Sequence, residues 1–419
     1  PGVALAIERR GEIIFREAFG LADIENQIAV RPDAVFPIGS ITKTMTGLSI
    51  MQLVAQGRLS IDDRAGQYMD DLPPTIANIK VRNLLDHTSG IIGYTDLPDF
   101  PLQSQRPFSR EEMLGWFVNR PLQFEPGARW SYTNSGIFLL GLIIERVSGL
   151  TYADYLQQNI FAPFGMSQSS MAGWETIVPN RARGYMRTPQ GLRNGARYDP
   201  LVPFSAGAVL STLDDMLRYR RGVFGDGPTS APVRRLLLQR DTLRDGTRLP
   251  YALGCLAVTE FEGRRKIGHP GDIFGFSSQY AYYPEDDLTI VLLTNIQGGL
   301  IPPTSLEQKI ARAALGIRQP VITDTPLTTT QANAYVGGYE IGSIRFAVNH
   351  MRFVFANDTL NVSFDGSDDP SSLLPLRHQG RGEFVSIVDD EHRFRFERRG
   401  RARKVFMSYY GSVFEASAT

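Results

Sequence analysis

One cysteine, Cys255, stands in 419 residues. No internal disulfide staples the chain, and no thiolate cluster holds a structural zinc. Cys255 lies in an apolar run, Leu253-Gly-Cys-Leu-Ala-Val258, where a buried and inert thiol is expected. Long hydrophobic runs are lacking too, and no uninterrupted stretch is long enough to cross a bilayer. Charge of one sign is absent: 44 basic side chains balance 44 acidic ones, which disfavours nucleic acid and anionic membranes as partners. Lysine is scarce, with only Lys43, Lys80, Lys266, Lys309 and Lys404. There is no initiator methionine; the chain opens at Pro1-Gly-Val-Ala-Leu-Ala6, already strand-like, so upstream sequence with any signal peptide is expected to be missing.

What is present is ordinary globular composition, 42% apolar and 21% charged, at a length that suggests two or three domains. Residues 3–7 and 13–19 read as a hairpin around Glu8-Arg-Arg-Gly11. From about 40 to 240 the pattern is helical. Apolar residues recur at helical spacing over 42–56 before Gly57, and Ser109-Arg-Glu-Glu112, Thr151-Tyr-Ala-Asp154 and Ser211-Thr-Leu-Asp214 are capped starts. Strands return at 251–260, 263–268, 276–284 and 288–294, and a helix follows at about 305–315. Strands at both ends with helices between predict an α+β domain, one antiparallel sheet flanked by helices plus an all-helical lobe. The groove between lobes is the expected active site. This domain is assigned residues 1–318. A Pro/Thr-rich linker occupies 319–332, and short alternating runs over 333–419, with polar turns such as 365–370, predict a small all-β barrel or sandwich.

Three short patterns carry chemistry. Ser40-Ile-Thr-Lys43 opens a helix, where positions i and i+3 share a face, so the hydroxyl and the amine meet. A serine alcohol is a weak nucleophile that needs a base, and a lysine serves once burial lowers its pKa. In Tyr132-Thr-Asn134 a phenol is placed to pass protons and an amide to hold both Lys43 and a substrate carbonyl; equally, Asn134 serves as a helix cap. His269-Pro-Gly271 follows a strand. There Gly271 lets a substrate backbone approach, and the Asp272 N–H is an oxyanion donor opposite the N–H of Ser40. His269 supplies a hydrogen bond or a cation near the leaving group. His378-Gln-Gly380 has the same form in the C-terminal region. A rival mechanism is a Ser–His–Asp triad using His87, but no G-x-S-x-G surrounds Ser40.

In this order and context the three patterns resemble the serine β-lactamase and penicillin-binding-protein superfamily. The chain is nearest its class C-like branch, which includes esterases and D-aminopeptidases. Ser40-Ile-Thr-Lys43 resembles S-x-x-K, Tyr132-Thr-Asn134 resembles Y-x-N, and His269-Pro-Gly271 resembles K-T-G or H-x-G. Flanking segments such as Leu84-Leu-Asp-His-Thr-Ser-Gly90 and Ala206-Gly-Ala-Val-Leu-Ser-Thr212 are similar too. The resemblance covers roughly residues 1–318. It implies that Ser40 forms an acyl-enzyme, that Lys43 and Tyr132 shuttle protons, that Asn134 positions the substrate, and that the N–H groups of Ser40 and Asp272 hold the oxyanion. No metal or organic cofactor is implied, and the expected partner is a small-molecule or short-peptide substrate. A periplasmic or secreted location is what the resemblance favours.

Two departures tilt the expected reaction. His269 stands where penicillin-recognising members carry lysine, and Pro270 where they carry a hydroxyl, so carboxylate-bearing substrates lose two anchors. Ester or D-peptide hydrolysis is therefore favoured over the alternative, a β-lactamase or D-Ala-D-Ala carboxypeptidase-like enzyme. The reading from another class is a catalytically silent binding or sensor protein that keeps the fold. The tail resembles lipocalin-like barrels appended to some members, entered at Tyr335-Val-Gly-Gly-Tyr-Glu340. Capping the groove, mediating assembly into an oligomer, carrying a lipid and adding stability are its candidate roles.

Overall fold

The computed structural model describes residues 1–100, 104–171, 173, 176–345, 350–364, 372–399, 402–409 and 412–419; the turn expected at 365–370 lies outside them. Contacts divide the chain into two units, one of Pro1–Ala128 with Thr133–Pro303 and one of Arg129–Tyr132 with Thr304–Thr419.

The first unit is built on an eight-stranded antiparallel sheet: β1 (Gly2–Arg9), β2 (Glu12–Asp23), β3 (Ile28–Ala29), β4 (Tyr251–Ala252), β5 (Leu256–Phe261), β6 (Arg264–Ile273), β7 (Phe276–Tyr283) and β8 (Leu288–Thr294). The spatial order is β4-β5-β6-β7-β8-β1-β2-β3. The N-terminal hairpin thus joins the later strands through β1 and β8, with Ala6 opposite Val291, as the strand-rich ends of the domain predict. Every residue of β7 and β8 is buried, because the sheet is covered rather than solvated. Helix α3 (Leu213–Phe224) packs on β1 and β8. Its Arg220 and the neighbouring Arg221 both grip the carboxylate of Glu8, which is fully buried in β1.

Helix α1 (Thr42–Ala55) is buried almost all round, so its polar residues cannot face water. They bond inward instead. Thr44 Oγ1 donates to the Ile41 carbonyl, Ser49 Oγ to Met45, and Thr46 Oγ1 to Ser205 at 2.7 Å. Helix α2 (Asn134–Ser148) ends at Gly149, whose φ of 77° supplies the left-handed cap. The helical region is interrupted by strands of two to four residues, 36–37 with 209–211 and 170–171, and 185–188 with 191–194 and 296–297. They are too short for an alternating pattern to reveal. Among the described residues no single helix is long and apolar enough to cross a membrane.

The second unit contains a closed barrel of eight strands in chain order, 337–341, 350–356, 359–363, 374–380, 383–386, 393–399, 402–409 and 412–418. Tyr339 opposite Ala418 closes the ring. Closure leaves no exposed sheet edge. Tyr339, Met351, Phe353, Phe384, Phe394, Met407 and Phe414 fill the interior, and Phe353 meets Phe394 edge-to-face at 5.7 Å. The helix at Pro303–Leu315 belongs with this unit from Thr304 onward. Its buried Arg312 makes a two-pronged ion pair with Glu391, and its Ser305 hydroxyl donates to Asp389 at 2.5 Å.

Candidate active site

Ser40 sits in a single 3-10 turn, Gly39–Ile41, one step ahead of α1 rather than inside it. The turn is pinned from three sides. The Ile38 N–H donates to the Val209 carbonyl at 3.0 Å, the Ser278 hydroxyl donates to the Ile38 carbonyl at 2.9 Å, and the Val209 N–H donates to Thr42 Oγ1. Gly39 has φ of 52°, and a Cβ there would lie 3.0 Å from the backbone nitrogen of Asp272. Glycine is thus required both for the backbone angle and for the approach of β6.

The S-x-x-K pattern forms the expected contact. Lys43 Nζ lies 2.8 Å from Ser40 Oγ and 2.7 Å from the carbonyl oxygen of Ala206. Lys43 is 0% exposed. Burial is the main cause that lowers its pKa from 10.5 to about 7, so a large fraction is the free amine at neutral pH. A carbonyl only accepts, so the Ala206 contact takes an N–H of Lys43. That leaves the amine lone pair for the Ser40 hydroxyl proton, the geometry general-base activation needs.

Sequence reasoning ended the strand at 268 and placed His269-Pro-Gly271 just after it. Instead β6 runs on to Ile273. Its pairing with β5 stops at Gly268, so Pro270 lies where the strand has a ladder partner only on the β7 side, opposite Gln279. Ile38 to Ser40 approach β6 here. A Cβ on Gly271 would sit 2.1 Å from the Ile38 carbonyl oxygen and 2.4 Å from Ser278 Oγ, which brings Asp272 beside the nucleophile turn.

His269 supplies no cation. It is 3% exposed, and burial, followed by the nearby Lys43, lowers its pKa to about 3. Its Nδ1 faces the Pro270 carbonyl at 2.5 Å and its Nε2 faces the Tyr251 hydroxyl at 2.8 Å. The carbonyl accepts from Nδ1–H, so neutral His269 receives the Tyr251 O–H at Nε2. His87 is also fully buried, with a pKa held well below the ordinary value first by burial and then by Lys43. Its Nδ1 accepts the Thr133 N–H at 3.2 Å, and the contact to Ser40 Oγ is made by Lys43, which removes the ground for a His87 triad. Cys255 is buried, its thiol donates to the Leu85 carbonyl, and burial raises its pKa, in keeping with an inert group.

Asn134 is the first residue of α2, while the cap is Thr133, whose side chain accepts from the Ser135 N–H. Asn134 is thus released from capping, and its amide donates to Thr95 Oγ1 at 3.2 Å. Ser40, Asn134 and Asp272 line one cavity of about 190 Å³ with Thr95, Tyr94, Phe100, Val202, Pro203, Ile273, Phe274 and Gln297. Lys43, His269, Pro270 and Gly271 stand outside its lining. Phe100 stacks on Phe274 at 6.0 Å, giving the cavity an aromatic wall. Tyr132 belongs to the other unit, where its ring lies 6.4 Å from that of Trp130. His378 also lies there, on a barrel strand, stacked on Phe384.

Sequence reasoning missed Ala206, Tyr251 and Thr95 as partners of Lys43, His269 and Asn134. Ala206 opens a segment already noted for its resemblance. Nothing in the spacing marks the other two.

Known proteins resemble this chain over most of its length. Penicillin-binding protein 4* of Bacillus subtilis is 26% identical over 363 residues, covering 81% of this chain and 79% of its own length. A D-aminopeptidase of Brucella melitensis biotype 1 is 27% identical over 435 residues, covering 98% of this chain and 79% of its own. The octameric penicillin-binding protein homologue from Pyrococcus abyssi shares the fold, with TM-score 0.68, 22% identity, and coverage of 99% of this chain and 96% of that one. A family model described as Beta-lactamase matches residues 1–315, and the chain belongs to that family of serine hydrolases.

Proposed function

We propose that the chain hydrolyses amide and ester bonds of D-configured amino-acid derivatives and short peptides through an acyl-enzyme on Ser40. The observation that carries this reading is the buried Lys43 amine 2.8 Å from Ser40 Oγ at a cavity wall. Lys43 takes the hydroxyl proton as Ser40 attacks the carbonyl, and the N–H groups of Ser40 and Asp272 receive the charge that develops on oxygen. Asn134 holds the substrate carbonyl side. Tyr132 returns the proton to the leaving group, and water attacks the acyl-enzyme by the reverse path. Gly271 and Pro270 set the strand against which the substrate backbone lies.

The D-configured class is supported by the relatives named D-aminopeptidase, and the lean away from penicillins by the cavity's charge. Asp272 is the one charged residue among the described lining residues, and His269 is neutral. No cation in that lining grips the carboxylate of a penicillin or of a C-terminal D-alanine. Self-assembly is part of the proposal as well, supported by the octameric relative and read by sedimentation of the full chain.

The test sets D- and L-alanine p-nitroanilide, p-nitrophenyl acetate and nitrocefin side by side. Expected are a burst of nitrophenol, at least about tenfold preference for the D-anilide, slower nitrocefin turnover, and loss of burst and turnover in Ser40→Ala. Nitrocefin turnover above that of the ester restores the penicillin-recognising reading. Absence of Ser40 labelling by both a fluorophosphonate and a penicillin probe makes the chain a silent binding protein.

A further inference from the structure

Strand β6 loses a neighbour in mid-course. At Ile267 and Gly268 it has β5 on one edge and β7 on the other, and from His269 to Ile273 only the β7 pairing continues. In an antiparallel ladder the N–H and C=O of one residue point to the same edge, and consecutive residues alternate. The Gly271 carbonyl accepts from the Ser278 hydroxyl of β7 at 3.3 Å, so Pro270 and Asp272 turn toward the edge that β5 has left. A Cβ on Gly39 would lie 3.0 Å from both the nitrogen and the carbonyl oxygen of Asp272, which marks that edge as the one facing the nucleophile turn.

An edge without a neighbouring strand leaves backbone groups to be satisfied in other ways. Pro270 brings no N–H there, and its carbonyl faces Nδ1 of His269 at 2.5 Å. Two lone pairs repel at that distance, so Nδ1 carries the hydrogen. The side chain of His269 thus does what a further residue of β5 would do, without occupying the edge. Nε2 is left to accept, and the Tyr251 hydroxyl of β4 stands 2.8 Å from it. Both side chains are buried. Neutral imidazole has one donor and one acceptor nitrogen, so donation by Tyr251 selects the tautomer that holds Pro270.

We infer that Tyr251 and His269 are positioning residues for the oxyanion donor. The Tyr251 hydroxyl fixes the His269 tautomer, and Nδ1–H ties down the Pro270 carbonyl, so that the Asp272 N–H is held at Ser40 while the edge stays open to substrate. This rests on the reading that the Asp272 N–H receives the charge on the substrate oxygen. A donor aimed at developing charge acts only from a fixed place, and a displacement of about 1 Å costs on the order of 100-fold in rate. All these residues lie in the first unit.

Asparagine places an amide N–H where Nδ1–H stands, and glutamine places one at the Nε2 end. In the full-length protein His269→Gln is expected to lower kcat for p-nitrophenyl acetate about 10- to 100-fold, with KM within about threefold. His269→Asn is expected to stay within about fivefold of the unaltered enzyme, and Tyr251→Phe to lose about fivefold. Equal losses in the Asn and Gln variants, or a loss confined to KM, overturn the inference. A measurement on the unaltered protein stands beside this in case a variant fails to fold. Nitrogen NMR of isotopically labelled histidine, assigned with His269→Asn, should show the His269 ring protonated at Nδ1 and bare at Nε2, alike at pH 6 and pH 8. A proton on Nε2 at either pH overturns the inference. In Tyr251→Phe the two tautomers are expected to mix, and a ring that keeps the pure Nδ1–H form removes Tyr251 from the device. The spectra are read whether or not the protein turns over substrate. Loss of Ser40 labelling in the unaltered chain therefore fails the proposed function and leaves the tautomer to be judged separately.

Discussion

The two units differ in how many buried groups they gather in the neutral form at one place. Behind Ser40 the first unit strips water from Lys43, His87, His269, Asp86 and Cys255, and burial is the largest cause pushing each toward its neutral form. Asp86, for one, is raised to about 7. Buried ion pairs occur in both units, Glu8 with Arg220 in the first and Arg312 with Glu391 in the second, and the second closes around an aliphatic and aromatic interior. Paired charges are what a stable scaffold tolerates, whereas clustered neutralised groups cost stability and gather where proton transfer is carried out. Five such groups gather behind Ser40, against His392 and Asp389 in the second unit.

Replacing Lys43 by methionine is the most severe way to break that contrast. Turnover of p-nitrophenyl acetate is expected to fall by about 10³-fold, since the base is removed, and the protein is expected to become more stable. A pKa lowered from 10.5 to about 7 means the unfolded chain binds the extra proton between those values. Folding is therefore penalised fully below pH 7, and the penalty fades as pH rises toward 10.5. The stability gain of Lys43→Met should exceed its value at pH 9 by roughly 2–3 kcal/mol at pH 6, measured by urea unfolding. A gain independent of pH shows that Lys43 is not the desolvated base. In the unaltered enzyme, kcat/KM should rise through a pKa near 7 as Lys43 loses its proton.

Gly271→Ala tests the approach of β6 to the nucleophile turn. Its Cβ meets backbone at 2.1 Å, and backbone yields little. Activity is expected to fall about 100-fold and stability by about 1–3 kcal/mol. Full activity shows that Asp272 does not need this registry with Ser40.

Much of this was legible in the sequence, for identifiable reasons. The sheet, α1 and the caps at Ser109 and Thr151 follow from local periodicity and cap chemistry, and the start expected at Ser211 is capped one residue later, by Thr212. The Ser40 and Lys43 pair needs only one helical turn, so spacing suffices. The continuation of β6 through Pro270 was hidden, because proline reads as a strand breaker until one sees that β5 has already ended. Between the hydrogen bond and the cation that His269 offered the sequence could not choose, because exposure is not written in a triplet. Tyr251 and Thr95 are long-range partners, and the strand that pairs with Trp130 lies more than 200 residues further along the chain. Contacts across such distances leave no local signal.

The smallest expected effect sharpens the comparison at the cavity itself. Thr95 Oγ1 accepts from the Asn134 amide at 3.2 Å, and both residues line the cavity. Thr95→Val keeps the shape and removes the acceptor. One neutral hydrogen bond is worth about 1 kcal/mol, so kcat/KM for the D-anilide should fall about fivefold while thermal stability moves little. Because Asn134 is not the helix cap, the loss should appear in turnover and not in α2. If stability falls and turnover does not, the Thr95 contact belongs to the scaffold, and the line between scaffold and chemistry runs closer to Ser40 than the cavity wall.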